Sequence, residues 1–327
     1  MKIVGIGNAL VDILVKLPNN QILDELGIAK GSMNLVDETV RDAVLKKIPG
    51  AERQMTTGGS ISNTMLALRK LGEPSAFIGK VGNDEQGEFY LNELQESGVT
   101  MHVIREKQPS GTAVAMITPD GERTFCTYLG AAANMQKQDL KPEHFEPYTH
   151  LYVEGYLVQN HELIESVMKI AKEKKITVML DLASFNVVRA DQNFILHLVD
   201  SYVSILLANE EEATALTGKS AVGAINEIAD KVEVAIVKEG DKGSLVKFGQ
   251  ELIHVPVHRK IHPVDTTAAG DYFAAGFFYG LIHDASLKKC AEIGSLLSYY
   301  IIQVVGTKLQ DNVWTEIQNR VNKIVEQ

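Results

Sequence analysis

Apolar positions recur along the chain in two alternating rhythms. Short β-branched runs, "KIVGIG" (2–7), "SAFIGKV" (75–81), "HLYVEG" (150–155), "ITVMLDL" (176–182), "YVSILLAN" (202–209) and "VAIVKEG" (234–240), read as strands. Between them, over 60–72, 86–98, 160–175, 210–218 and 221–232, apolar residues fall three and four apart, the spacing of one helix face. Gly72 and Gly98 close two of these helices, where a left-handed residue commonly ends the last turn. Strand and helix in alternation predict an α/β fold with a mainly parallel sheet. Ligands of such sheets gather at the carboxyl ends of the strands.

Two segments break the rhythm. Residues 11–39 and 108–130 carry extended patterns, the second with "PDGE" (119–122) as a hairpin turn. They predict a small β-sheet lid inserted into a large α/β body made of 1–10, 40–107 and 131–327. There is no internal repeat, low-complexity tract or linker.

Composition narrows the partners. The 327 residues are 45% hydrophobic and 23% charged, with a net charge of −10. No Lys/Arg-rich run interrupts this acidity, so neither nucleic acid nor an anionic membrane is an expected partner. Cys126 and Cys290 are too few for a disulfide framework or zinc cluster and suit a reducing cytoplasm. The opening "MKIVGIGNALVDILV" contains Asp12 and lacks a small-residue cleavage site. It reads as a first strand rather than a signal peptide, and a cytoplasmic protein is expected.

Three patterns mimic known sites and fail. "GIGNAL" (5–10) has Leu10 where a dinucleotide fingerprint needs its third glycine. "TGKS" (217–220) has Ala213 where a P-loop needs its first glycine, and Gly218 reads as a helix terminus. His254, His258 and His262 have helical metal-site spacing, but Pro256 makes the segment a strand or loop.

The stretch "VDTTAAGDYFAAGFFYGL" (264–281) is more informative. Ala268, Ala269 and Gly270 lead into Asp271 at the mouth of an apolar helix. Unpaired N–H groups and the macrodipole make a helix start an anion site, and small residues let a phosphoryl group approach the backbone. Asp271, expected to be ionised there, could accept a hydroxyl proton, although capping alone would explain it. "GGSISNTMLALRKLG" (58–72) places Gly58 and Gly59 before a helix whose first turn carries Asn63, a donor and acceptor suited to a polyol. "ANEEEA" (208–213) sets Asn209 and Glu212 three apart, where they could organise Mg2+ and its waters or simply cap the helix. "VKEGDKG" (237–243) brings Lys238, Gly240 and Gly243 to a strand end, where a nucleotide could lie over bare backbone.

These elements in this order resemble the ribokinase-like (PfkB) family of carbohydrate and nucleoside kinases, over essentially the whole chain. The resemblance implies a three-layer α/β/α body with a β-sheet lid and transfer of the γ-phosphoryl of ATP, with Mg2+, to a primary hydroxyl. It implies that the Gly58–Gly59 motif holds the acceptor, that Asp12 binds its hydroxyls, and that residues 268–270 form the anion hole beside the catalytic base Asp271. It also implies ATP binding at Asn209, with Glu212 reaching Mg2+ through water, and a monovalent cation, K+, near Asp265 and Thr267. Two positions depart from the family pattern: Ala268 replaces a usual glycine, and Lys238 a frequent threonine. The alanine is expected to fit if its φ is negative.

The long insert at 19–48 and the opening "GNALVDI" (7–13) are similar to adenosine kinases. Asn34, between Met33 and Leu35, is a further candidate acceptor contact, and Phe125 and Tyr128 are candidate stacking platforms. An adenosine-kinase-like nucleoside or sugar kinase is expected, with a ribokinase or fructokinase as the alternative. A catalytically silent nucleoside or sugar sensor is the reading from another class. The family allows a monomer or a lid-mediated homodimer.

Overall fold

Burial on both faces explains why the apolar runs carry so little alternation: they are interior strands of a wide parallel sheet. The computed structural model describes residues 1–31, 33–47, 53–120 and 122–326. The first strands are β1 (Ile3–Ile6), β2 (Leu10–Lys16), β3 (Met33–Leu35), β4 (Arg53–Gly58), β5 (Ser75–Gly82), β6 (Thr100–Glu106), β7 (Gly111–Ile117) and β8 (Arg123–Tyr128). They continue with β9 (His150–Glu154), β10 (Thr177–Asp181), β11 (Val203–Asn209), β12 (Val234–Lys238), β13 (Ser244–Phe248) and β14 (Glu251–Val255).

Among the described residues, nine strands form the large sheet in the order β14-β13-β12-β11-β10-β9-β1-β5-β6. From β12 to β6 every pairing is parallel; the β12–β13–β14 edge is antiparallel. Alternate residues feed opposite faces. Ile3, Phe77, Tyr152 and Leu207 pack with Phe273 and Phe277 on one side, while Val4, Ile78, Leu151 and Val153 pack with Leu163 and Val167 on the other. The body is thus three layers, α/β/α, as expected. The helices Ser60–Lys70 and Glu85–Ser97 end at left-handed glycines or one residue short of them, at Gly72 and Gly98.

The second sheet has the order β3-β8-β7-β2-β4. Its strands come from the expected lid segments with one correction: β4, assigned on sequence to the large body, pairs antiparallel with β2, Gly58 opposite Leu10. Its sequence, RQMTTG, offers Met55 as its one large apolar side chain, too weak a signal for a strand. The insert is also not wholly extended, since Gln21–Leu26 and Glu38–Lys47 are helical. The "PDGE" turn lies partly outside the described residues because it includes Gly121; its flanks pair antiparallel, Ile117 opposite Arg123. His254 lies in β14, and His258 and His262 follow in irregular chain, so the three share no helix. Among the described residues no helix is long and apolar enough to cross a membrane.

Candidate active site

The helix Ala269–Ile282 begins at the carboxyl ends of the parallel strands, and its N-cap is Ala268. Contrary to expectation, Ala268 is left-handed, with φ +61° and ψ 6°. That region crowds a Cβ against the carbonyl, which is why glycine is the natural occupant. The first intrahelical bond runs from the Tyr272 amide to Ala268 O at 2.9 Å, and the Ala269 amide donates to Thr266 O at 3.2 Å. The amides of Gly270 and Asp271 therefore precede the helix's own acceptors and are oriented as anion donors.

Asp271 faces the start of the helix Ser60–Lys70. Ser60 Oγ donates to its Oδ1 at 2.7 Å, and Asn63 Nδ2 donates to its Oδ2 at 2.9 Å. Gly59 makes the approach possible: its φ is +89°, and a Cβ there would stand 2.2 Å from the Asn8 carbonyl oxygen. Gly58 is bare for a similar reason, since a Cβ would meet Asp12 Oδ1 at 2.2 Å. Asp271 is not the unperturbed carboxylate that its helix position suggests. Burial raises its pKa to about 6, against the lowering effect of the Ser60 and Asn63 hydrogen bonds.

A cavity of about 920 Å³ opens in front of Asp271, between the two sheets. Asp12, Gly59, Asn63 and Thr267 line it, together with Asn8, Ser60 and Glu154. Leu35, Phe125, Leu129, Met135 and Leu157 give it an apolar portion. Asp12 has its pKa raised to about 7, first by burial, then by the Asp271 charge, with Arg123 opposing. Glu154 is pushed further, to about 8, by burial; it accepts from the Asn8 amide at 2.7 Å.

A second cavity, of about 250 Å³, lies behind the same helix end and is lined by Lys238, Gly240, Gly243, Ala269 and Gly270. Thr266 borders both cavities, so the loop 266–271 is the wall where they meet. Lys238 Nζ donates to Asp181 at 3.2 Å and stands 3.1 Å from where a Cβ on Gly270 would be. Burial alone would lower the pKa of this ammonium, but the Asp181 and Glu212 carboxylates more than offset it and raise it. An ammonium beside two helix-end amides can hold a phosphoryl group.

Other expected residues sit elsewhere. Asn209 and Glu212 line neither cavity; they form a reciprocal capping box. The Glu212 amide donates to Asn209 Oδ1 and the Asn209 amide to Glu212 Oε2, each at 2.8 Å. Burial, then the Asp181 charge, raises the Glu212 pKa to about 7. Asn34 is also outside the cavity lining: its amide donates to the Phe125 carbonyl at 3.2 Å, while its neighbour Leu35 faces the cavity. Of the two candidate platforms Phe125 lines the cavity; Tyr128 instead packs under the Arg41 guanidinium at 4.6 Å. Asp265 and Thr267 bond each other, and both bond Arg123.

Sequence reasoning missed Asn8, Ser60, Glu154, Asp181 and Arg123. Glu154 and Asp181 are the last residues of β9 and β10, and the rule that parallel strands carry their sites at the carboxyl end could have found both.

A doubly covered α/β sheet with an acid at a helix mouth, a large cavity before it and a lysine-lined cavity behind it is an arrangement suited to phosphoryl transfer. The family model for the pfkB family carbohydrate kinases matches residues 30–314, and the chain belongs to that family. The adenosine kinase of Sinorhizobium meliloti superposes with a TM-score of 0.87 at 29% identity, covering 98% of this chain and 99% of that one. A probable sugar kinase of Rhizobium etli CFN 42 gives the same TM-score and identity, covering 98% of each chain. An uncharacterized sugar kinase of Archaeoglobus fulgidus is 27% identical over 249 residues, 74% of this chain and 97% of that protein. The chain is accordingly a sugar or nucleoside kinase that uses ATP.

Proposed function

We propose that the acceptor is a nucleoside, with adenosine the best fit, phosphorylated on its primary hydroxyl. The observation that carries this reading is the acceptor cavity. At about 920 Å³ it far exceeds what a lone pentose or hexose fills, and both polar and apolar side chains line it. Asp12, Asn63 and Asn8 suit ribose hydroxyls; Leu35, Phe125 and Leu157 suit a flat base.

In the proposed reaction the acceptor hydroxyl attacks the γ-phosphorus in line. The new O–P bond forms as the bond to the bridging oxygen of ADP breaks, and the hydroxyl proton passes to Asp271. The Gly270 and Asp271 amides and Lys238 stabilise charge on the transferring group. A carboxyl with a pKa near 6 is well matched to proton abstraction at neutral pH, typically worth about 10²–10⁴-fold. The small sheet acts as a lid that excludes water from the reacting phosphate. Mg2+ brought with ATP supplies charge neutralisation. Asp181 and Glu212, buried carboxylates that share the Lys238 ammonium, would be the oxygen donors to its waters.

The test is ADP release with Mg·ATP and adenosine, other nucleosides, ribose or fructose, with the Asp271→Ala variant alongside. Adenosine should give the strongest signal and the variant none. Turnover of ribose or fructose alone would overturn the nucleoside reading. Silence across the panel, with ligand binding still seen by calorimetry, would make the protein a sensor.

A further inference from the structure

Asp265 opens the loop that leads to the anion-binding helix end, and its side chain is 5% exposed. Its oxygens are fully engaged. Oδ1 accepts from the Thr267 amide at 3.0 Å and the Thr267 hydroxyl at 2.8 Å. Oδ2 accepts from the Gly306 amide at 2.7 Å and from the Arg123 guanidinium. An ionised carboxylate offers about four lone-pair positions, so nothing is left to ligate K+. The bond donors also surround it with positive hydrogens, the wrong polarity for a cation.

Arg123 is the first residue of β8, in the small sheet, and its side chain is 13% exposed. Its guanidinium also donates to Thr267 Oγ1 at 3.2 Å. Arg123, Asp265 and Thr267 thus form a closed ring one residue before Ala268, the N-cap of the anion-binding helix. Gly306 fastens the same carboxylate to the chain that follows the helix Leu287–Ile301. A fixed charge already balances Asp265, and it arrives from the sheet that covers the acceptor.

We infer that the Arg123 guanidinium takes the place of a monovalent cation, so that this kinase works without K+. Arg123 is then a positioning residue: through Asp265 and Thr267 it sets the loop that aims the Gly270 and Asp271 amides. Removing it would leave a buried carboxylate with its charge uncompensated and one open position on Oδ2, a site K+ could enter. The activity arm of the test rests on the kinase reading; the binding arm does not.

The experiment compares the protein and its Arg123→Ala and Arg123→Lys variants in K+ and in tetramethylammonium at equal ionic strength. Turnover and melting temperature are both read. The unaltered protein should show the same rate and the same melting temperature in both salts. Arg123→Ala should lose about 10–100-fold in kcat with little change in acceptor KM, the scale of a small misplacement of reacting groups. Part of that loss should return with K+, and K+ should raise the melting temperature of this variant alone. Arg123→Lys, which keeps a charge, should stay indifferent to K+. Activation or thermal stabilisation of the unaltered protein by K+ would overturn the substitution. A folded Arg123→Ala with unchanged kcat would overturn the positioning role. If no acceptor is phosphorylated, the kinase reading fails while the melting comparison still decides whether K+ binds.

Discussion

The Ser60 hydroxyl donates to Asp271 Oδ1 at 2.7 Å, joining the paired-glycine helix to the helix that starts after Ala268, across 211 residues of sequence. Burial raises the Asp271 pKa to about 6, and the Ser60 bond is the largest influence pulling it back down. The base proposed at Asp271 must be deprotonated to act, so turnover should fall as pH drops through about 6. Ser60→Ala removes a hydrogen bond to a charged group worth about 1.5–3 kcal/mol, which is roughly one to two pH units. The acidic limb of the kcat profile should move upward by that amount, with the variant nearly normal at alkaline pH. An unmoved limb would show that another group controls the proton.

Ala268 carries a methyl at φ +61°. A left-handed residue with a Cβ costs roughly 1–2 kcal/mol, while glycine adds unfolded-state entropy worth roughly 0.5–1 kcal/mol. Ala268→Gly should therefore stabilise the protein by up to about 1 kcal/mol in urea denaturation. Ala268→Val, β-branched at the same φ, should destabilise it by more than the glycine gains. A lower urea midpoint for the glycine variant would contradict the strain at this N-cap.

Asn209 separates a capping role from a role in the donor site. Its side chain accepts from the Glu212 amide and donates to Glu212 Oε1, each at 2.8 Å. Asn209→Ala should cost about 0.5–2 kcal/mol of stability, and Asn209→Ser should restore most of it. Because Asn209 lines neither cavity, KM for ATP should stay close to that of the unaltered protein. A KM that rises in the serine variant, with stability restored, would place Asn209 among the nucleotide contacts.

How much of this was legible depended on whether one residue type admits one explanation. Strands β9 to β12 are buried on both faces, so their apolar runs announce themselves. The edge strand β4 has Thr56, Thr57 and Gly58 at its buried end, which read equally well as loop. Gly59 and Asp271 drew notice because both stand at helix starts, although an acid there serves as a cap as readily as a base. Asn209 and Glu212 were ambiguous for a physical reason: the same three-residue spacing serves a capping box and an ion site. Arg123 was illegible, since its meaning lies in a contact 142 residues away with Asp265. Ala268 shows the limit of reading residue type alone, because its φ depends on the loop that holds it.

Glu154 bears on stability rather than on the proton. It is 2% exposed, accepts from the Asn8 amide at 2.7 Å, and burial, with help from the Asp271 and Asp181 charges, raises its pKa to about 8. Its unfolded value is near 4.5. Between those two values the folded protein binds more protons than the unfolded chain, so stability falls as pH rises through that window. The contribution is fully present below the unfolded value and gone above the folded one. Glu154→Gln removes the titration but keeps an oxygen for the Asn8 amide. The variant should therefore gain on the unaltered protein steadily between pH 5 and pH 8, measured as the difference in urea midpoints. Asp12, raised to about 7, leaves a residual slope of the same sign. Parallel pH profiles for the two proteins would mean that Glu154 does not titrate in this window.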